Sequence, residues 1–190
     1  FYFISFWGIL ETLFARLANA GGYLVALNFN NMPAKKTNTF DLTTLLSPAQ
    51  ICIVPSGQTK QAVIRRLVEL ICHAEPALGA EDVLREVLRR EEGISTTLDT
   101  GLSIPHARLE EITDFKAALA VFPAPVPEPH NPHHAIKAMF LFLSPSKPEF
   151  FQRHLQILAA LAQTFKPDFM DELAQLQTPQ DILAHFKPQP

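Results

Sequence analysis

Two apolar runs, residues 116–122 and 136–143, constrain the fold more than any other feature of this chain. Each is too short for a buried helix and rich in residues that tolerate burial on both faces, so each reads as a core strand. The segments around them change period. Val63, Ile64, Leu67, Val68 and Ile71 recur at helical spacing, with Ser56 or Thr59 as the cap and Pro76 as the stop. A second helix over 80–92 places Val83, Leu84, Val87 and Leu88 on one face, and Gly93 ends it. A third, over 148–165, carries Phe151, His154, Leu155, Leu158, Leu161, Ala162 and Phe165 as its apolar stripe. A last short helix opens at Thr178, Pro179 and Asp181, a cap, a first-turn proline and an acid. A helical turn near Ser47 and Pro48 precedes a strand, ICIV. Residues 94–104 read as two short strands around a turn at Asp99 and Gly101, and PAPVPEPHNPHH (123–134) as a proline-rich loop. Strands mixed with helices indicate an α/β layered domain.

The first 31 of the 190 residues differ from the rest. Residues 1–26 are aromatic and aliphatic, but Glu11 and Arg16 leave no charge-free run able to span ~30 Å of hydrocarbon. They also lack the basic start and cleavage site of a signal peptide. The first methionine is Met32, so the expectation is a natural start there; an amphipathic helix lying on a membrane is the competing reading. Residues 33–40 read as a polar linker, which makes 1–40 an extension outside the fold and 41–187 the domain. Apolar residues at 47% are ample for one core. A net charge of −3 gives no basic face for nucleic acid. Cys52 and Cys72 show no metal or redox spacing and read as buried thiols in a reducing compartment.

Two histidines stand out. GLSIPH at 101–106 is a strand ending in Pro105 and His106. Proline fixes the backbone where the strand ends, so the ring that follows is held firmly. Neutral imidazole is a good nucleophile near pH 7. The pattern alone favours a structural histidine, buried or at the surface, and says nothing of phosphate. His154 sits on an apolar helical stripe, where a hydrogen-bonded core ring is the ordinary occupant. His130, His133 and His134 lack a cysteine or acidic partner at ligand spacing, so no metal site is expected. Arg65, Arg66, Arg85, Arg89 and Arg90 read as solvated helix faces, and Glu110 and Glu111 as surface.

The run REEGISTTLDTGLSIPHAR (90–108) resembles the active-site signature of the fructose/mannitol-type (type-2) enzyme IIA domain of the bacterial phosphotransferase system, nitrogen-regulatory branch included. FLFLSP followed by RHLQILAALA (153–162) resembles that family's second motif, and LLSPAQICIVPSGQTKQAVIRRLVELI its opening strand and helix. Ser103 stands where alanine is more usual, and Thr97, Leu98, Asp99 and Thr100 replace a glycine-containing turn.

The resemblance implies a mixed β-sheet flanked by helices on both faces in a single domain. It implies that His106 accepts a phosphoryl group from HPr or its nitrogen-branch paralogue, as a tele-phosphohistidine. Arg90 would stabilise phosphate charge, His154 would bind the phosphate or orient His106, and Thr96 would support them. No cofactor or metal is implied. The partners implied are an enzyme IIB or regulatory targets such as kinases or transporters, in the cytoplasm, with no nucleic acid and no stable membrane insertion. The absence of permease helices and of an enzyme IIB cysteine motif fits the nitrogen branch better than sugar transport. The alternative function is a protein-binding module of the same fold that acts without phosphorylation.

Overall fold

The computed structural model describes residues 40–92, 96–129 and 131–187, and only the backbone of 131–134. The expectations for Gly93, His130 and residues 1–39 lie outside the described residues, as do those for the His133 and His134 side chains.

Five strands form one mixed sheet. β1 (Ile51–Ile53) runs parallel to β4 (Lys116–Glu128), which pairs antiparallel with β5 (Asn131–Pro145). On the far side of β5 lie β2 (Leu102–Ser103) and β3 (His106–Leu109), both parallel to it. The pairs Leu102↔Ala138 and His106↔Phe142 share one offset. β2 and β3 are therefore one edge strand, interrupted at Ile104 and Pro105. Proline has no N–H to give the ladder, and an edge is where that loss is tolerated. The Pro105 carbonyl still accepts from Phe142 N–H at 3.2 Å, so the register survives the break.

Side chains alternate across the sheet and build two cores. Ala118, Ala120, Phe122, Met139, Leu141 and Leu143 face α1 (Lys60–Ala74) and α2 (Ala80–Glu91). Leu119, Val121, Ala138, Phe140 and Phe142 face α3 (Phe151–Thr164), α4 (Pro167–Leu173) and α5 (Pro179–His185). Helices therefore cover both faces, as the fold class requires.

Most helix signals hold. Thr59, not Ser56, caps α1 by accepting from Ala62 N–H at 3.2 Å. Thr178 caps α5 in the same way, at 3.1 Å from Asp181 N–H. A 3-10 turn, Pro48–Gln50, leads into β1. Cys52 and Cys72 are buried free thiols. Phe40, at the end of the expected linker, packs half-buried against the second core. Among the described residues, no helix is long and apolar enough to cross a membrane.

Three expectations need correction. The proline-rich segment is not a loop: β4 and β5 extend through it as a long ribbon with shifted register after Val121. β1 covers β4 only as far as Val121, so the ribbon beyond is edge and bulge, where proline forfeits no ladder bond. Prolines at 123, 125 and 127 all face solvent, while Val126 and Glu128 point inward. The alternation was strand-like, but proline masked it. Second, the α3 stripe is rotated: Ile157 and Ala160 are buried, Leu155 and Leu158 only partly so, and Phe151 is exposed at the helix start. The guanidinium of Arg108 lies 5.8 Å from the Phe151 ring centre. Third, α4 was missed, because seven residues carry too little periodicity to be seen.

Residues 96–104 form a tight hairpin with one bridge, Thr97↔Ser103. Leu98 C=O accepts from Gly101 N–H at 2.9 Å, and Gly101 has φ +88°. A Cβ there would stand 2.8 Å from the Ala135 carbonyl oxygen. Gly101→Ala is therefore expected to cost about 1–3 kcal/mol, since strain and clash act together. Urea unfolding checks this; Gly57→Ala, with similar φ and open space around it, should lose less.

Candidate active site

His106 begins β3, directly after Pro105. Its side chain points to the second-core face, in step with Leu102 and Ile104. Phe142 is its register partner on β5, and the two rings stack at 5.2 Å with planes 10° apart. His106 Nδ1 lies 2.9 Å from the Ile104 carbonyl oxygen. A carbonyl only accepts, so Nδ1 carries the hydrogen. In the neutral ring Nε2 is then a bare lone pair. Burial pushes the His106 pKa below its ordinary value; the Ile104 bond and Glu91 act against this, and Arg90 acts with it. The ring is neutral at pH 7 and only 9% exposed.

His154 lies in the first turn of α3 and meets His106 edge-on at 5.4 Å. Its Nδ1 is 3.0 Å from Ser144 Oγ. Ser144 and Phe142 are alternate residues of β5, so one strand face supports both histidines. Burial first, then the nearby His106, Arg108 and Arg90, push the His154 pKa down to about 4.

The two rings line a cleft of about 240 Å³ with Glu86, Arg89, Arg90, Ala107 and Arg108. It opens where the C-terminal turn of α2 and the first turn of α3 meet the sheet edge. Arg89 is tied to Glu86. Arg108 donates to the Ser146 carbonyl at 2.7 Å. Arg90 makes no hydrogen bond or ion pair among the described residues, so its guanidinium is available to an anion in the cleft. Thr96 is not in the cleft lining; its Oγ1 donates to the Ile104 carbonyl at 2.8 Å, the same oxygen that holds His106. Among the described residues no cluster of His, Cys, Asp or Glu could hold a metal.

The structure thus brings His106, His154 and Arg90 together and sets Thr96 behind them. Sequence reasoning missed Ser144 and the Phe142 ring. A serine at the end of the apolar FLFL run, just before Pro145, was the available signal, because a polar group there needs a partner. Arg108 was visible in the Pro-His run but was not read as part of the site.

Both histidines have depressed pKa values, so the unfolded chain takes up protons first on acidification. The expected result is full stability above about pH 6.5 and a decline through pH 4. Urea midpoints across that range check it. His154→Gln should flatten the decline.

Known proteins similar to this chain identify its family and its fold. The family model described as "Phosphoenolpyruvate-dependent sugar phosphotransferase system, EIIA 2" matches residues 44–188. A nitrogen regulatory protein of Pseudomonas putida is 31% identical over 85 residues, 45% of this chain and 96% of that protein. The nitrogen regulatory protein IIA-Ntr of Neisseria meningitidis superposes with TM-score 0.66 at 22% identity, covering 76% of this chain and 98% of that one. The Escherichia coli complex of enzyme IIA mannitol with phosphorylated enzyme IIB mannitol gives 0.62 at 15% identity, covering 74% and 96%. These last two are likenesses of fold. The extent of the family match, over a fold of this kind, makes the chain a member of the type-2 enzyme IIA family of the phosphoenolpyruvate-dependent sugar phosphotransferase system.

Proposed function

We propose that this protein is a phosphohistidine carrier in which His106 Nε2 accepts a phosphoryl group from an HPr-like phosphocarrier protein. The observation that carries the proposal is the Nδ1 bond to the Ile104 carbonyl, which leaves Nε2 unprotonated beside a cationic cleft. In the transfer, the bond from phosphorus to the donor nitrogen breaks as the Nε2–P bond forms, and the electron pair stays with the donor. Such a transfer needs in-line positioning and charge around the equatorial oxygens more than covalent help. Arg90 supplies a guanidinium with no competing partner among the described residues, a planar fork suited to phosphate. His154 supplies an N–H when Ser144 donates to its Nδ1. Neutral His154 adds that donor without adding a further cation to the arginines of the cleft.

The carrier domain in this reading is residues 41–187, with Phe40 packed against its second core. The phosphoryl group then moves to an enzyme IIB partner or marks a regulatory state read by a kinase or transporter. The nitrogen regulatory relatives support the second outcome, and the mannitol complex supports the first. The test is incubation with phosphoenolpyruvate, enzyme I and HPr, followed by intact mass. One acid-labile, base-stable phosphoryl group per chain is the expected product. An unmodified chain, or a label stable to acid, contradicts the proposal.

A further inference from the structure

Behind the active site lies a buried ionic cluster that the transfer reaction does not use directly. Lys60, the first residue of α1, is 4% exposed. Its Nζ lies 2.6 Å from Glu91 Oε1 and 2.8 Å from Glu128 Oε2. Glu91 ends α2, and Glu128 ends β4. Both carboxylates are buried. Thr97 Oγ1 donates to Glu128, and Thr96 Oγ1 stands 3.2 Å from Glu91 Oε2. An exposed lysine at a helix start would leave such a pair of acids to water. Here three elements converge on one ammonium, and the segment that leads into the active-site strand is fastened to it.

The contacts continue to the nucleophile. Ile104 N–H donates to the Thr96 carbonyl at 3.1 Å, and Thr96 Oγ1 donates back to the Ile104 carbonyl at 2.8 Å. These reciprocal bonds fix the direction of that carbonyl, which is the acceptor for His106 Nδ1–H at 2.9 Å. The single hydroxyl hydrogen of Thr96 is shared, with its short arm on the Ile104 carbonyl and a longer arm of 3.2 Å to Glu91 Oε2. Lys60 holds Glu91, and Glu128 holds Lys60. We infer that Glu91 is a positioning residue for phosphoryl transfer, acting through Thr96 and the Ile104 carbonyl to keep His106 in the tautomer whose Nε2 is bare. A ring held only by stacking on Phe142 could place its hydrogen on either nitrogen, and the Nε2–H form cannot attack phosphorus. A second-layer partner that selects a histidine tautomer is a general device for tuning imidazole.

The inference rests on His106 being the acceptor, and its test separates the two. Long-range ¹H–¹⁵N spectra of the full chain report which ring nitrogen of His106 carries hydrogen, without any phosphorylation. The parent should show the Nδ1–H form alone. Glu91→Gln and Thr96→Val should each bring in the Nε2–H form and slow labelling by HPr roughly tenfold, inside the ~100-fold that a 1 Å misplacement can cost. Glu92→Gln, an exposed neighbour outside the relay, should match the parent. Thr96→Val leaves the ionic cluster intact, so it decides the matter even where Glu91→Gln fails to fold. If the parent labels at His106 while both variants keep its tautomer and rate, the positioning role is wrong and the carrier function stands. If the parent does not label, the carrier function is wrong, and the spectra alone judge the relay.

Discussion

His106→Ala is expected to reduce phosphoryl labelling to background while leaving the fold intact. The chain offers no second acceptor in the cleft. His154 is neutral at pH 7, but its Nδ1 is taken by Ser144 and its other face meets the His106 ring. Arg90 and Arg108 are charged and cannot act as nucleophiles. Losing the ring removes the stack on Phe142, the edge contact with His154 and one bond to the Ile104 carbonyl, which Thr96 still satisfies, a modest loss beside the two cores. Labelling with radioactive phosphoenolpyruvate, enzyme I and HPr measures the effect, with circular dichroism as the fold control. A His106→Ala protein that labels like the parent would move the acceptor elsewhere.

Lys60→Met is expected to give the largest loss of stability. The substitution keeps the volume of the stem but leaves Glu91 and Glu128 facing one another without their cation. Removing one partner of a buried ion pair typically costs about 3–5 kcal/mol, because the remaining charge is stranded. The exposed pairs of the same chain are a useful contrast. Arg65–Glu81 and Arg85–Asp82 are open to water, and such pairs contribute about 0–1 kcal/mol. Urea unfolding should show a lower midpoint at an unchanged slope. A loss no greater than that of Arg65→Met would mean that the cluster is solvated in solution.

The residues of the candidate site were legible chiefly through the family resemblance, and the scaffold was less so. Pro105 marks His106 as a firmly held ring, because proline at a strand end fixes the next residue, but only the family resemblance made that ring a candidate phosphoryl acceptor. His154 was legible as a histidine on an apolar stripe, though the stripe itself is rotated, since Phe151 at the helix start has no core to reach. The β4–β5 ribbon was hidden by composition. Proline argues against a strand unless one already knows that the edge beyond Val121 is open. Lys60 was hidden by distance. At the first position of a helix it reads as a solvated charge, and its partners stand 31 and 68 residues away. No local pattern reports such a pairing. Ser144 lies between these cases: a lone hydroxyl at the end of an apolar strand asks for a partner, but the partner is named only by the fold.

The central claim is that the Ile104 carbonyl holds Nδ1–H and so dedicates Nε2 of His106 to phosphorus. Phosphorus and nitrogen NMR of the phosphorylated, ¹⁵N-labelled full chain reads this directly. One phosphoryl group coupled to Nε2 of His106 is the predicted result. A phosphoryl group on Nδ1 of His106, or on His154, would contradict it.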